Sequence, residues 1–230
     1  MTPKIKKADT VKAILIALFA ALILRQFVIA AYKIPTGSME NTLLIGDFLL
    51  VNKFVYGART PDWIGIPWTR TGMEIPSFSF PMITDPRPYD IIVFEYPKDP
   101  FLDYIKRCIA VGGEIVESKN KRIFTNGTPF PIPPQIKYID RGIFKQNYYD
   151  EISFYQGNRD NFGPIAVPLG QYFMMGDNRD NSLDSRSWGF VPRKNIVGRP
   201  LIIYLSLDPV QPVYHLLSKV RWDRLGKVVR

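Results

Sequence analysis

Residues 13–24 (AILIALFAALIL) form an uninterrupted apolar run close to the start of the chain, and they restrict its fold more than any other stretch. Arg25 and Gln26 interrupt the run, and residues 27–32 (FVIAAY) resume it. A membrane-spanning helix needs about 20 largely apolar residues. Residues 11–32 supply that length, with Lys12 and Arg25 as their charges. Lys12 can snorkel at one end, and Arg25 belongs near the opposite interface or against protein. A cleaved leader has the same basic start and short apolar core, so it is the obvious competitor. No A-x-A and polar start follow Leu24 directly, and a cut at Ala30 and Ala31 would leave the downstream turn intact. The reading carried forward is an uncleaved anchor over residues 11–32. Lys4, Lys6 and Lys7 ahead of it place residues 1–10 in the cytoplasm and the following domain on the far side.

With 230 residues, the chain has room for this anchor and one sizeable domain, or a domain carrying an insertion. The net charge of +9 sits mostly at the two ends, with Lys219, Arg221, Arg224, Lys227 and Arg230 in the tail. Basic ends beside an apolar segment suit anionic lipid headgroups before nucleic acid. No zinc-finger spacing, RNP motif or basic helix favours DNA or RNA. A single cysteine, Cys108, permits no internal disulfide, and a single histidine, His215, makes a His/Cys metal site improbable. A hydrolase built on this chain needs a base other than histidine.

Beyond the anchor, residues 34–43 (IPTGSMENTL) hold a serine between a glycine and a methionine. Proline fixes its own φ and glycine permits φ > 0, so this turn can present the Ser38 hydroxyl and N–H together. Residues 48–56, 90–96, 102–111, 172–175 and 201–207 read as strands. Residues 115–117 and 122–125 flank a hairpin, and Asn126 with Gly127 marks a second turn. Residues 57–88 are rich in proline and aromatics, which fits either a segment dipping into the headgroup region or a surface loop over a small satellite core. Residues 128–166 read as an inserted subdomain of short strands. Long helical periodicity is absent outside the anchor, so the domain is mainly β.

Three patches can carry chemistry: Ser38 on its turn, Lys106 in DYIKR, and the polar loop at residues 176–186 (GDNRDNSLDSR). Strand alternation puts Lys106 and Cys108 on one face, and Ile105, Arg107 and Ile109 on the other. At an ordinary pKa of ~10.4, only about 0.1% of a lysine is neutral near physiological pH. Burial disfavours the ammonium, and lowering its pKa by about two units yields a usable general base. In the polar loop, Asp177, Asn178, Asp180, Asn181 and Asp184 allow a calcium-like reading. The interleaved Arg179 and Arg186 argue instead for internal ion pairs and no metal.

These patches resemble the motifs of bacterial type I signal peptidases, membrane-anchored Ser/Lys endoproteases that remove signal peptides from exported proteins. The matching stretches are IPTGSMENTLLIGDFLLVNKF, RPYDIIVFEYP with DYIKR, and GDNRDNSLDSRSWGFVP, in the family's order, with RWDRLG near the C-terminus. The resemblance implies Ser38 as nucleophile and Lys106 as general base, with Ser182 hydrogen-bonding and orienting Lys106. The Ser38 N–H and the Thr36 hydroxyl would form the oxyanion hole. Asp184 and Arg186 would brace the site, and Arg107 would support the same strand. Met39, Leu43, Tyr104 and Ile105 sit where the family lines its small-residue pockets, which select A-x-A before the scissile bond. Asn41 departs from the pattern, since family members often have proline there.

The same resemblance implies a catalytic core of coiled antiparallel β-sheets over residues 33–114 and 167–230, with a smaller non-catalytic β subdomain inserted at 115–166. It calls for no cofactor. The implied partners are signal peptides of secreted preproteins, the phospholipid bilayer and the protein-export translocon, with no nucleic acid. The implied location is the cytoplasmic (inner) membrane, crossed once, with the catalytic domain on the extracytoplasmic side. Two alternatives use parts of the same pattern. A repressor-type Ser/Lys autoprotease would carry a DNA-binding module where this chain has its apolar run. A non-enzymatic, membrane-tethered β-domain for envelope partners leaves Ser38, Lys106 and the polar loop unexplained as a set.

Overall fold

A computed structural model describes residues 7–66, 71–143, 157–212, 214 and 216–230; His215 lies outside them. The apolar run forms a helix, α1 (Lys7–Phe27), and the stretch Thr10–Phe27 is long and apolar enough to cross a membrane by length and composition. None of that stretch is buried against the rest of the chain. The apolar segment does not continue as one helix to Tyr32. Its last part is a strand, β1 (Ile29–Lys33), paired antiparallel with β2 (Asp47–Asn52), so that Ala31 faces Leu50. The β-branched Val28 and Ile29 weaken helix propensity there, and the open edge of β2 supplies backbone partners that a lone helix end lacks.

The remaining strands are β3 (Trp63–Gly65), β4 (Gly72–Glu74), β5 (Ile91–Tyr96), β6 (Asp99–Val111), β7 (Ile115–Lys119), β8 (Arg122–Thr125), β9 (Thr128–Pro129), β10 (Phe162–Ala166), β11 (Gln171–Met175), β12 (Val191–Pro192) and β13 (Ile196–Ser206). A seven-stranded antiparallel sheet runs in the order β1-β2-β13-β5-β6-β11-β12. The last long strand in sequence, β13, therefore joins the β1–β2 half to the β5–β6–β11 half. Register shifts in β13 at Pro200/Ile202 and Ile203/Leu205 add local twist and coil the sheet. Ile91 and Val93 pack into one core with Leu49, Val51 and Ile203, while Ile92 and Phe94 pack into another with Cys108, Met174 and Trp188. Burial on both faces explains why β5 reads as a continuous apolar run rather than an alternating one.

The second sheet, β10-β7-β8-β9, falls within residues 115–166. Asn120 (φ 53) and Lys121 (φ 69) turn β7 into β8, and Asn126 (φ 50) with Gly127 (φ 75) turn β8 into β9. Both pairs have positive φ at the two central positions, which suits the right-handed twist of a two-residue hairpin. A core of Val116, Ile123, Phe130, Phe162 and Phe173 ties this sheet to the main one.

The strand expected over residues 48–56 stops at Asn52, and the one expected over 201–207 begins five residues earlier, at Ile196. The described residues of 57–88 hold the β3–β4 ribbon and an isolated Arg59–Ser79 bridge, and leave Ile64, Ile66, Met73, Phe78 and Ile83 exposed. Phe80 of this segment meets Phe27 at the end of α1 edge to face, at 5.5 Å between ring centroids. Gln26 Nε2 also donates to the Arg59 carbonyl.

Candidate active site

The backbone leaves β1 through Ile34, whose N–H donates to the Asp47 carbonyl, and folds into the serine turn. Three backbone bonds close that turn: Glu40 to Gly37, Thr42 to Met39, and Leu43 to Met39. Asn41 adopts φ 77, a conformation that asparagine tolerates better than most residues and that proline cannot reach. The departure at Asn41 thus fits the observed turn. Met39 and Leu43 are fully buried in the core beneath it, with Leu49, Val51 and Ile203. Both are expected to line the small-residue pockets, and here neither side chain has exposed surface. Tyr104 and Ile105 are half-buried on β6, with Tyr104 stacked on Tyr96 at 4.5 Å. Thr36 is exposed on the turn, two residues ahead of Ser38.

β6 brings Lys106 to the same place. Its Nζ lies 2.7 Å from Ser38 Oγ and donates to the Ile105 carbonyl at 3.1 Å. Lys106 is 4% exposed, and burial pulls its pKa down to about 8. Asp184 and Asp177 push it back up, and Arg186 pulls it down. The alternation of β6 holds, but Arg107 on the opposite face is buried as well. A guanidinium so placed needs a counter-charge, and Arg107 forms a two-bond pair with Asp177 at 2.8 and 2.7 Å. It also donates to the carbonyls of Tyr89 and Arg230.

The polar loop closes over both groups. Asn178 donates its N–H to the Ser38 carbonyl at 3.0 Å and its side-chain amide to the Gly37 carbonyl and to Glu40. Asp177 accepts from Thr42 Oγ1. Asp184 caps α2 (Ser185–Trp188), accepts from the Gly176 N–H, and pairs with Arg186 at 2.8 and 2.7 Å. Burial pushes the Asp184 carboxyl upward, but Arg186 and these donors hold it below the usual carboxylate range. Asp177 and Asp184, two carboxylates of the calcium-like reading, are thus engaged by guanidinium groups and by hydroxyl or backbone N–H donors.

Ser182 departs from expectation. Its hydrogen bond to Lys106 is not made: Lys106 Nζ is taken up by Ser38 and the Ile105 carbonyl, and Ser182 Oγ, fully buried, finds no well-formed hydrogen bond among the described residues. The hydroxyl lies on the Asp184 side and helps keep that carboxylate ionised. Sequence reasoning missed two contributors. Asn178 was visible only as one polar residue among many, since nothing local says which carbonyl it will meet. Gly176 matters for what it lacks: a Cβ there would come 2.4 Å from the Ser38 carbonyl oxygen and 2.2 Å from Ser182 Oγ. A glycine opening a polar loop directly after a strand is the signal that could have marked it.

A serine hydroxyl against a buried, neutralisable amine is the arrangement of a nucleophile and its base. Comparison with known proteins gives the family. The model of the family "Signal peptidase, peptidase S26" matches residues 7–205. A signal peptidase I from Pseudomonas fluorescens is 37% identical over 92% of this chain and 75% of its own length. One from Pseudomonas aeruginosa is 38% identical over 82% and 69%, and one from Aquifex aeolicus is 34% identical over 91% and 94%. A crystal structure of a signal peptidase I from Enterococcus faecalis aligns at 29% identity over 51% of this chain and 97% of that one, with a TM-score of 0.39. With its serine turn, its buried lysine and a match that spans the sheet, the chain belongs to the signal peptidase family, peptidase S26.

Proposed function

We propose that the protein is a membrane-bound serine endopeptidase that cuts signal peptides from exported preproteins after small residues. The 2.7 Å contact between Lys106 Nζ and Ser38 Oγ, at a lysine 4% exposed, carries this reading. Neutral Lys106 takes the Ser38 proton as Oγ attacks the scissile carbonyl, and the resulting ammonium gives that proton to the leaving amine. The Ser38 N–H and the Thr36 hydroxyl stabilise the oxyanion, where losing one donor typically costs about 3–4 kcal/mol. Lys106 then activates the water that hydrolyses the acyl-enzyme. Arg107–Asp177 and Arg186–Asp184 brace the two sides, and Ser182 acts through Asp184.

The substrate enters as an extended strand. β1 is the outer strand of its sheet, and β11 pairs with β6 only at residues 107–111, so β6 keeps a free edge ahead of Lys106. Tyr32 of β1 and Asp103 of β6 line one cavity, which brings the two edges close together. Tyr104 and Ile105 flank the small-residue pockets, over a floor of Met39 and Leu43. α1 anchors the chain in the cytoplasmic membrane with the catalytic domain outside, and the exposed apolar residues of 57–88 rest at the interface. The substrate reaches the site as it leaves the export translocon.

In the test, purified protein in detergent cuts a preprotein after an A-x-A site. Ser38→Ala and Lys106→Ala each abolish cutting while thermal unfolding remains cooperative. Full activity in either variant sinks the dyad.

A further inference from the structure

The subdomain at residues 115–166 grips the polar loop at two consecutive residues. The Asp180 carboxylate has a side chain only 3% exposed, and it accepts from the Ile139 and Asp140 N–H groups at 2.8 and 2.9 Å. It also pairs with Lys121 Nζ at 3.1 Å and lies 3.6 Å from Arg159. Arg159 donates to the Asp180 carbonyl as well, while its own carbonyl accepts from Arg186. Arg179, next door, is 4% exposed and lies in a pocket of the subdomain lined by Ile123, Phe130, Ile132, Ile136 and Tyr138. Its backbone N–H bonds the Lys137 carbonyl, and the Lys137 N–H bonds the Asp177 carbonyl. Lys137 Nζ reaches Glu40 on the serine turn at 3.0 Å.

An arginine in an apolar pocket costs desolvation energy, and burial pulls the Arg179 pKa down. No feature of the subdomain's own sheet requires it. What the arginine and Asp180 share is the loop that carries Gly176, Asn178, Ser182 and Asp184. We propose that the inserted subdomain positions that loop, with Asp180 and Arg179 as positioning residues that act on Ser38 and Lys106 through Asn178 and Asp184. This rests on the dyad reading above. The subdomain is then a working part of the peptidase, and Lys121 and Arg159 belong to the reaction although neither touches substrate.

The test uses the full chain in detergent with a signal-peptide substrate. Asp180→Ala should lower kcat by about 10- to 100-fold with KM within about twofold, as expected for an ångström-scale misplacement of reacting groups. Asp180→Asn, which can still accept both backbone N–H donors, should recover most of the loss. Lys121→Met and Arg159→Met, on the subdomain itself, should shift kcat the same way. Lys119→Ala, whose exposed pair with Glu117 lies outside the grip, should behave as wild type. Hydrogen exchange of residues 176–186 gives a readout independent of catalysis, and it should speed up in Asp180→Ala without global unfolding. Unchanged exchange, or faster exchange with unchanged kcat, overturns the positioning role. A failure of the dyad reading would show instead as activity surviving in Ser38→Ala.

Discussion

At pH 7 a lysine with a pKa of about 8 is roughly 10% neutral, whereas one at its ordinary 10.5 is about 0.03% neutral. Burial of Lys106 thus raises the fraction of competent base about 300-fold at neutral pH. Because a base must be unprotonated, kcat/KM should rise about tenfold per pH unit up to pH ~7, bend near 8 and level off above ~9. The free enzyme sets this limb, so it can be read from kcat/KM of a fluorogenic A-x-A peptide in detergent. Asp184→Asn tests the direction of the shift. Removing the carboxylate that pushes the Lys106 pKa up, while leaving Arg186, should move the limb to lower pH. The same burial disfavours folding. Between pH 8 and 10.5 the unfolded chain binds more protons at this site, so stability rises with pH across that window, and the full cost of about 3 kcal/mol stands below pH 8. Lys106→Met should therefore be inactive yet more stable than wild type at pH 7, by up to ~3 kcal/mol, with the gap closing toward pH 10. A limb near pH 10.5 would mean a solvated lysine, and one near 6.5 would point to His215. Either result refutes the argument.

Gly176→Ala should fold but lose about 100-fold in kcat, because its Cβ must displace the Ser38 carbonyl by most of an ångström; near-normal kcat in steady-state kinetics would show that the turn yields cheaply. Asn41→Pro should lower stability by roughly 2–3 kcal/mol, since φ 77 lies outside proline's range; an unchanged denaturant midpoint would mean that the turn has a second conformation. Removing residues 1–27 should leave a folded domain that still needs detergent or lipid for full rate, because the apolar residues of 57–88 remain exposed. Equal turnover without either would contradict an interfacial role for that segment.

Local chemistry made much of this fold legible. The run IIVFEY is a strand buried on both faces, and the SKNK and TNGT stretches form hairpin turns in which Asn120 and Asn126 open a positive-φ pair completed by Lys121 and Gly127. Ser38 and Lys106 could be paired through the family's motifs, and their 2.7 Å contact agrees. What stayed hidden depended on distant partners. Apolarity alone does not separate the end of α1 from β1, because the pairing with β2 adds to the local preference of Val28 and Ile29. The full burial of Met39 and Leu43 depends on Leu49, Val51 and Ile203, which come from β2 and β13. Ser182 makes no hydrogen bond to Lys106, a detail that motif spacing does not encode.

The place of β13 in the sheet has a consequence for when this protein can act. Ser38 hangs from the β1–β2 half and Lys106 from the β5–β6 half, and β13 is the strand that pairs with both β2 and β5. Asn178, which fastens the serine turn, also lies late in the chain. During synthesis, Ser38 and Lys106 therefore emerge well before the strand that joins their two halves of the sheet. In a nascent chain of this topology, the sheet that sets Ser38 against Lys106 is incomplete until residues 196–206 have been made.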